Sequence, residues 1–254
     1  MIREVKLAAL AGIRLVEPGD DLGAITVAAF AANGLAPEEG DVLVVAQKIV
    51  SKAEARYVDL GEVRPSATAE ALAAEVDKDP RFVEVVLSES MRVVRRRPGL
   101  LIVEHRLGFV MANAGVDHSN VASEDGERVL LLPLDPDGSA QALREALLAA
   151  SGARLAVIIS DSFGRAWRKG TLGVALGAAG LPALVDLRGH PDLFGRQLQV
   201  TETGFADEIA AAAELLMGQA NEGVPMVLVR GLSWSAPDVP AAALVRPAEH
   251  DLFR

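Results

Sequence analysis

Two aspartates, each placed just after an aliphatic run, are the residues of this chain with the plainest capacity for chemistry. The first run, Leu155-Ala-Val-Ile-Ile159, leads into Ser160-Asp161-Ser162-Phe163-Gly164-Arg165. It is rich in β-branched residues and too short for a stable helix, so it reads as a strand buried on both faces. The spacing predicts that the strand stops at Ser160 to Ser162, with Gly164 and Arg165 turning the chain away. Ligands gather at the carboxyl ends of strands in open α/β sheets, which is where a metal-binding carboxylate belongs. An Asp in this place could equally start a turn or cap a helix. The second aspartate lies in Asn113-Ala-Gly-Val-Asp117-His118-Ser-Asn120, which also follows a hydrophobic run.

Around these carboxylates, or in analogous loops, stand the neutral oxygen donors Asn113, Asn120, Ser160, Ser162 and Gln219. Hard oxygen ligands favour Mg²⁺ or Mn²⁺ over zinc. The four histidines, His105, His118, His190 and His250, lack HxxxH spacing, and His118 reads as an exposed loop residue. No G-x-S-x-G elbow supports a Ser-His-Asp arrangement. Carboxylates with scattered Lys and Arg point instead to phosphoryl chemistry, in which positioning and charge neutralisation carry most of the catalysis. The residues alone leave kinase, ligase and phosphohydrolase open.

Positive charge follows two of the buried runs. Val42-Leu-Val-Val-Ala46 precedes Gln47, Lys48, Ser51 and Lys52, with Lys48 and Lys52 on one face if the segment is helical. Ammonium groups and a helix start both suit phosphate, although the glycines of a Walker A loop are missing and an ordinary solvated helix explains the pattern as well. Arg165, Arg168 and Lys169 follow the Asp161 strand. The cluster Met91-Arg-Val-Val-Arg-Arg-Arg97 either faces a phosphorylated substrate or is a charged strand edge.

The elements that must hold these groups follow in order. Residues 2–10 form an apolar segment, and Asp20-Asp21 precede an amphipathic helix to about Asn33. Residues 66–88 read as helical with a break at Pro80, 100–104 and 107–111 as two strands of a hairpin, 128–134 as a short strand, and 138–150 as a helix closed by Gly152. Glycines 173, 177 and 180 do not fit a dinucleotide fingerprint and suggest close backbone packing. Residues 186–196 form a polar loop, 204–217 a strong helix, and 225–229 a further strand.

Half of the residues are hydrophobic, yet no apolar run nears the roughly 20 residues of a membrane span. The N-terminus lacks an apolar signal core. The absence of cysteine excludes disulfides and thiolate sites and fits a cytoplasmic protein. A net charge of -10 argues against a nucleic-acid partner, though not against a nucleotide held in a local positive pocket.

Four segments in chain order resemble the coenzyme F-420-0:L-glutamate ligases, the γ-glutamyl ligases of deazaflavin cofactor biosynthesis. They are Gly40 to Glu54, Ala112-Asn-Ala-Gly-Val-Asp-His-Ser-Asn-Val121, Ile159-Ser-Asp-Ser-Phe-Gly-Arg165 and Met217-Gly-Gln-Ala-Asn-Glu-Gly-Val-Pro225. The resemblance implies a GTP-dependent amide ligase that phosphorylates the terminal carboxylate of the F-420-0 precursor and couples it to L-glutamate. It implies Asp117 and Asp161 as catalytic residues and ligands of one divalent cation, Mg²⁺ or Mn²⁺. Ser162 and Gln219 would bind a second, with K⁺ as an accompanying ion. As nucleotide contacts it implies Gly12, Ile13, Arg14, Leu15, Gln47, Lys48, Lys52 and Asn120. To these it adds the run Met217, Gly218, Gln219, Ala220, Asn221, Glu222, Gly223 and Val224.

The implied fold is an unusual mixed α/β one with a largely mixed or antiparallel sheet, in an intertwined homodimer. Residues 1–254 would be one catalytic unit, possessing a second lobe over about 83–186. The likeness is to the stand-alone form, without the nitroreductase-like domain of the mycobacterial members. Two positions depart from archaeal members: Arg14 stands in an otherwise apolar loop, and Gln47-Lys48 replaces Ser-Thr. The alternative class is a metal-dependent phosphohydrolase or small-molecule kinase using the same carboxylates. A non-catalytic binding module has less need of two of them.

Overall fold

The computed structural model describes residues 4–118 and 127–252; Asn120 lies outside them. The elements are β1 (Lys6–Ala9), α1 (Leu22–Ala32), β2 (Val42–Ala46), α2 (Gln47–Ala53), β3 (Tyr57–Asp59), α3 (Ala67–Val76), α4 (Pro80–Ser88), β4 (Ser90–Arg97), β5 (Leu100–His105), β6 (Val110–Ala112), β7 (Arg128–Leu130), α5 (Pro136–Ser151), β8 (Ala156–Gly164), β9 (Thr171–Ala179), β10 (Val185–Asp186), β11 (Glu202–Thr203), α6 (Phe205–Met217) and β12 (Met226–Arg230). No helix among the described residues is long and apolar enough to cross a membrane.

The most aliphatic runs pair into a mixed sheet of order β1-β12-β2-β8-β9, in which β2 and β8 are parallel and the other pairings antiparallel. Its central strands β12 and β2, and the first half of β8, are buried on both faces because helices cover both. Leu43, Val45, Val157 and Ile159 pack beneath α1 and α5, while Val42, Val44, Ala156 and Ile158 pack beneath α6. Asp21 caps α1 by accepting the Ala24 N–H at 3.0 Å, as its place before the apolar run predicts. Asp21→Ala therefore costs about 1 kcal/mol, measurable by urea denaturation. Helix α5 starts earlier than the 138–150 pattern predicts, because Pro136 occupies its first turn and Asp135 caps it.

Two expectations are corrected here. The strand carrying Asp161 does not stop at Ser160 to Ser162. It runs on to Gly164 and pairs with β9, so the glycine-rich segment is itself a strand. Backbone ladder bonds continue wherever a partner strand is present, whatever the side chains. Its glycines do serve close packing: a Cβ on Gly173 would lie 2.6 Å from the Ala210 carbonyl oxygen of α6, and one on Gly177 would lie 2.1 Å from that of Pro136 on α5. These two glycines face opposite helices because the register shifts between Ile159 and Ser160, leaving one extra residue on β9.

The segment 83–186 does not divide the chain as expected either. Strands β8 and β9 belong to the large sheet, and a separate cluster of buried residues extends from Leu60 to Leu131. There α3 and α4 cover one face of the antiparallel sheet β4-β5-β6. Non-local pairing of β8 with β2, rather than sequence proximity, decides the grouping. Glu89 ties the two bodies of core together. Arg56 at 3.0 Å and Arg106 at 3.2 Å both donate to its carboxylate, and Arg56 also donates to the Leu132 carbonyl at 2.9 Å. Contact with His105, then the charges of Arg56 and Arg106, hold the Glu89 carboxyl down at about 2.

Candidate active site

Strand β2 ends at Ala46, opposite Ser160 of β8, but β8 continues through Asp161 to Gly164 with β9 as its ladder partner. The space left on the β2 side is a cleft of about 1730 Å³. Its walls come from the loop before α1, the start of α2, the β4-β5-β6 sheet, the β8–β9 hairpin and the segment after α6.

Asp117 and Asp161, far apart in sequence, both line this cleft. Asp117 is held by backbone hydrogen bonds in both directions with Leu130, 3.0 and 2.9 Å. Its Oδ2 lies 2.6 Å from Lys48 Nζ on α2. Asp161 is half-buried, and its carboxyl is pushed up to about 6. Burial is the main cause, with the charges of Asp117 and Glu214 adding to it, against the Ser162 N–H and Lys48, which pull the other way. Alternation along β8 sends the next side chain, Ser162, towards α6, where its hydroxyl donates to Glu214. Burial, and then the nearby Lys48 charge, hold the Lys52 ammonium below its usual range.

The remaining expected site residues are distributed as follows. Ile13, Arg14, Leu15, Gln47, Lys48, Lys52 and every residue from Met217 to Val224 line the cleft, whereas Gly12 stands just outside its lining. The Arg14 guanidinium makes two bonds of 2.6 Å to Asp20, so it is occupied within its own loop. Gln47 is buried, and its amide donates to the Ser51 hydroxyl at 2.6 Å and weakly to the Leu131 carbonyl at 3.4 Å, a bracing arrangement. Helix α6 ends because Gly218 takes φ 72°, and the Glu222 carboxylate then accepts the Ala220 N–H at 2.8 Å, folding the segment into a tight turn. Gln219 Oε1 accepts from the Thr171 hydroxyl at 3.3 Å. His118 is exposed and stacks on Phe82, so it stands as the loop histidine expected.

Sequence reasoning missed Glu214. A signal existed: it sits in the last turn of α6, where a carboxylate opposes the helix dipole and is unfavourable unless something compensates it.

Among the described residues no three of His, Cys, Asp and Glu form a ready metal shell. The donors nevertheless fit a hard cation. Mg²⁺ is usually held by one or two carboxylates plus substrate phosphates, rather than by an all-protein cage. Here Asp117, Asp161, Ser162, Glu214 and Gln219 supply oxygen alone, and a bound cation would offset the cost of ionising Asp161, which burial raises first and the Asp117 and Glu214 charges add to.

Fold and cleft together define a mixed α/β protein with one large cleft in which Lys48 and Lys52 stand beside clustered oxygen donors. The chain belongs to the F420-0:gamma-glutamyl ligase family, whose model matches residues 12–231. It is 45% identical over 252 residues to a protein of Methanothermobacter thermautotrophicus, covering 98% of this chain and 99% of that one. It is 46% identical over 246 residues to one of Methanopyrus kandleri, covering 95% and 94%. A third, of Archaeoglobus fulgidus, is 44% identical over 250 residues, covering 98% and 96%. Each of the three carries the name coenzyme F420:L-glutamate ligase.

Proposed function

We propose that this protein joins L-glutamate through an amide bond to the deazaflavin precursor F-420-0, using GTP. Family membership supports the reaction, and the juxtaposition of Asp117, Asp161 and Lys48 in one large cleft is the observation that carries the mechanism. A carboxylate is a poor electrophile, so it must be activated before an amine can attack. The acceptor's carboxylate oxygen attacks the γ-phosphorus of GTP, the bond to GDP breaks, and an acyl phosphate results. The amine of glutamate then attacks the acyl carbon, inorganic phosphate leaves, and a proton is released.

Divalent cations, Mg²⁺ or Mn²⁺, would neutralise the phosphates and align them for in-line transfer. Asp117 and Asp161 would hold one, Ser162 and Gln219 a second, with K⁺ as an accompanying ion. Lys48 and Lys52 add positive charge to the same wall, and burial strengthens their pull on an anion. The segment Met217 to Val224 lies where it can wrap the nucleotide. A homodimer working in the cytoplasm completes this reading.

The test is mass spectrometry of the acceptor after incubation with protein, GTP, Mn²⁺ and L-glutamate. A mass increase that requires glutamate is expected. GTP consumed at the same rate without glutamate, with the acceptor unchanged, identifies a phosphohydrolase instead.

A further inference from the structure

The wall of the cleft built by β4, β5 and β6 has a different character. Strand β5 alternates strictly: Leu101, Val103 and His105 are buried, the two aliphatic ones in the Leu60–Leu131 cluster, while Leu100, Ile102 and Glu104 face the other way. An antiparallel sheet with one solvated face normally shows polar residues there. Leu100 and Ile102 are instead aliphatic, and they line the cleft together with Val94, Val110 and Phe163. Glu104, one step further along the strand, lies outside the cleft and pairs with Arg92 at 2.6 Å.

Arg95 borders this apolar wall. In a regular strand Val94 and Arg95 would point to opposite sides, but the register of β4 shifts between Val93 and Arg95, and both residues line the cleft. Of the neighbouring arginines, Arg92 pairs with Glu104 and Arg96 with Glu75. Among the described residues Arg95 has no acidic partner; its guanidinium donates only to the adjacent Val94 carbonyl, at 2.8 Å. It is exposed and open to an anion.

A pocket for one small molecule spans roughly 300–1,000 Å³. At about 1730 Å³ the cleft has room for a second ligand beside a nucleotide. We infer that the outer face of β5, centred on Ile102 and bordered by Arg95, is the acceptor subsite. It takes the flat ring system of the acceptor on Leu100, Ile102 and Val110, and Arg95 binds an anionic group on the acceptor's tail. The carboxylate at the end of that tail is thereby directed along the cleft towards Asp161. This deepens the proposed function and rests on it. It also gives the basic run of β4 a role that a charged strand edge leaves unassigned.

The test is equilibrium binding of the deazaflavin acceptor, read by its own fluorescence, alongside calorimetric GTP binding and gel filtration. Ile102→Asp is expected to weaken acceptor binding at least about tenfold by placing a charge under the ring. Arg95→Gln is expected to weaken it about fivefold or more. Both should leave GTP affinity and oligomeric state unchanged. Arg95 is an exposed side chain, so Arg95→Gln decides the question if Ile102→Asp fails to accumulate. Wild-type acceptor affinity in the variants overturns the assignment, as does an equal loss of GTP binding. A change from dimer to monomer in Ile102→Asp overturns it too, because a second copy then covers the face. A wild-type protein that binds GTP but no acceptor overturns the ligase reading itself.

Discussion

Asp161→Asn lowers turnover at least about a hundredfold while the fold is kept and the cation-free protein becomes more stable at neutral pH. The two effects share one cause. Burial, joined by the charges of Asp117 and Glu214, pushes the Asp161 carboxyl from 3.8 up to about 6. The folded protein therefore binds more protons than the unfolded chain between those values, and stability from this group falls as pH rises through that window. Below it both states are protonated and nothing is lost; above it the full cost of a buried charge is felt. Asparagine carries no charge at any pH. The difference in melting temperature between variant and wild type should thus be near zero at pH 4 and open towards pH 7.

Mn²⁺ should close that difference by stabilising the wild type alone, since what binds only the folded state raises its stability. Calorimetric scans at pH 4, 5, 6 and 7, with and without Mn²⁺, measure this beside the turnover rate. Near-normal turnover would refute the metal role. An identical pH slope in both proteins would remove the electrostatic account of the site.

Gly177→Ala is expected to cost more than about 3 kcal/mol, enough to leave much of the chain unfolded. The added Cβ would stand 2.1 Å from the Pro136 carbonyl oxygen and 2.8 Å from the Asp137 nitrogen. These are backbone atoms, so no side-chain rotation relieves the clash. The N-terminus of α5 cannot simply withdraw, because the Asp137 carboxylate accepts the N–H groups of Ala178 at 2.8 Å and Ala241 at 2.8 Å. Displacing α5 also displaces β9, whose Val174 pairs with Asp161, so any folded remnant should turn over slowly. A urea titration followed by circular dichroism gives the stability. A midpoint within experimental error of the wild type would show that helix and sheet are less closely packed than the structure has them.

Much of the scaffold was legible in the sequence. Val42 to Ala46 reads as a buried strand and forms one, Pro225 to Val229 reads as a further strand and is found one residue on, at Met226–Arg230, and the segment 66–88 breaks at Pro80 into two helices. Gly152 closes α5 in the left-handed conformation, as expected of a glycine after the last apolar residue. These features depend on neighbours a few residues away. The end of β8 was misread because a strand stops where its partner stops, and the partner, β9, was hidden in a glycine-rich run. The same non-local pairing moved β8 and β9 out of the expected second lobe.

What the sequence determined by itself was the chemical inventory: oxygen donors without thiolates, lysines and arginines after buried runs, and four ordered segments that mark the family. Those are properties of residue type and order, and folding does not alter them. Only the tertiary structure decided that Lys48 meets Asp117, that Glu214 receives the Ser162 hydroxyl, and that Ile102 and Arg95 share a wall with them. Such meetings depend on which strands pair and where one outruns another, and that choice is made by burial summed over the whole core rather than by any local stretch of chain.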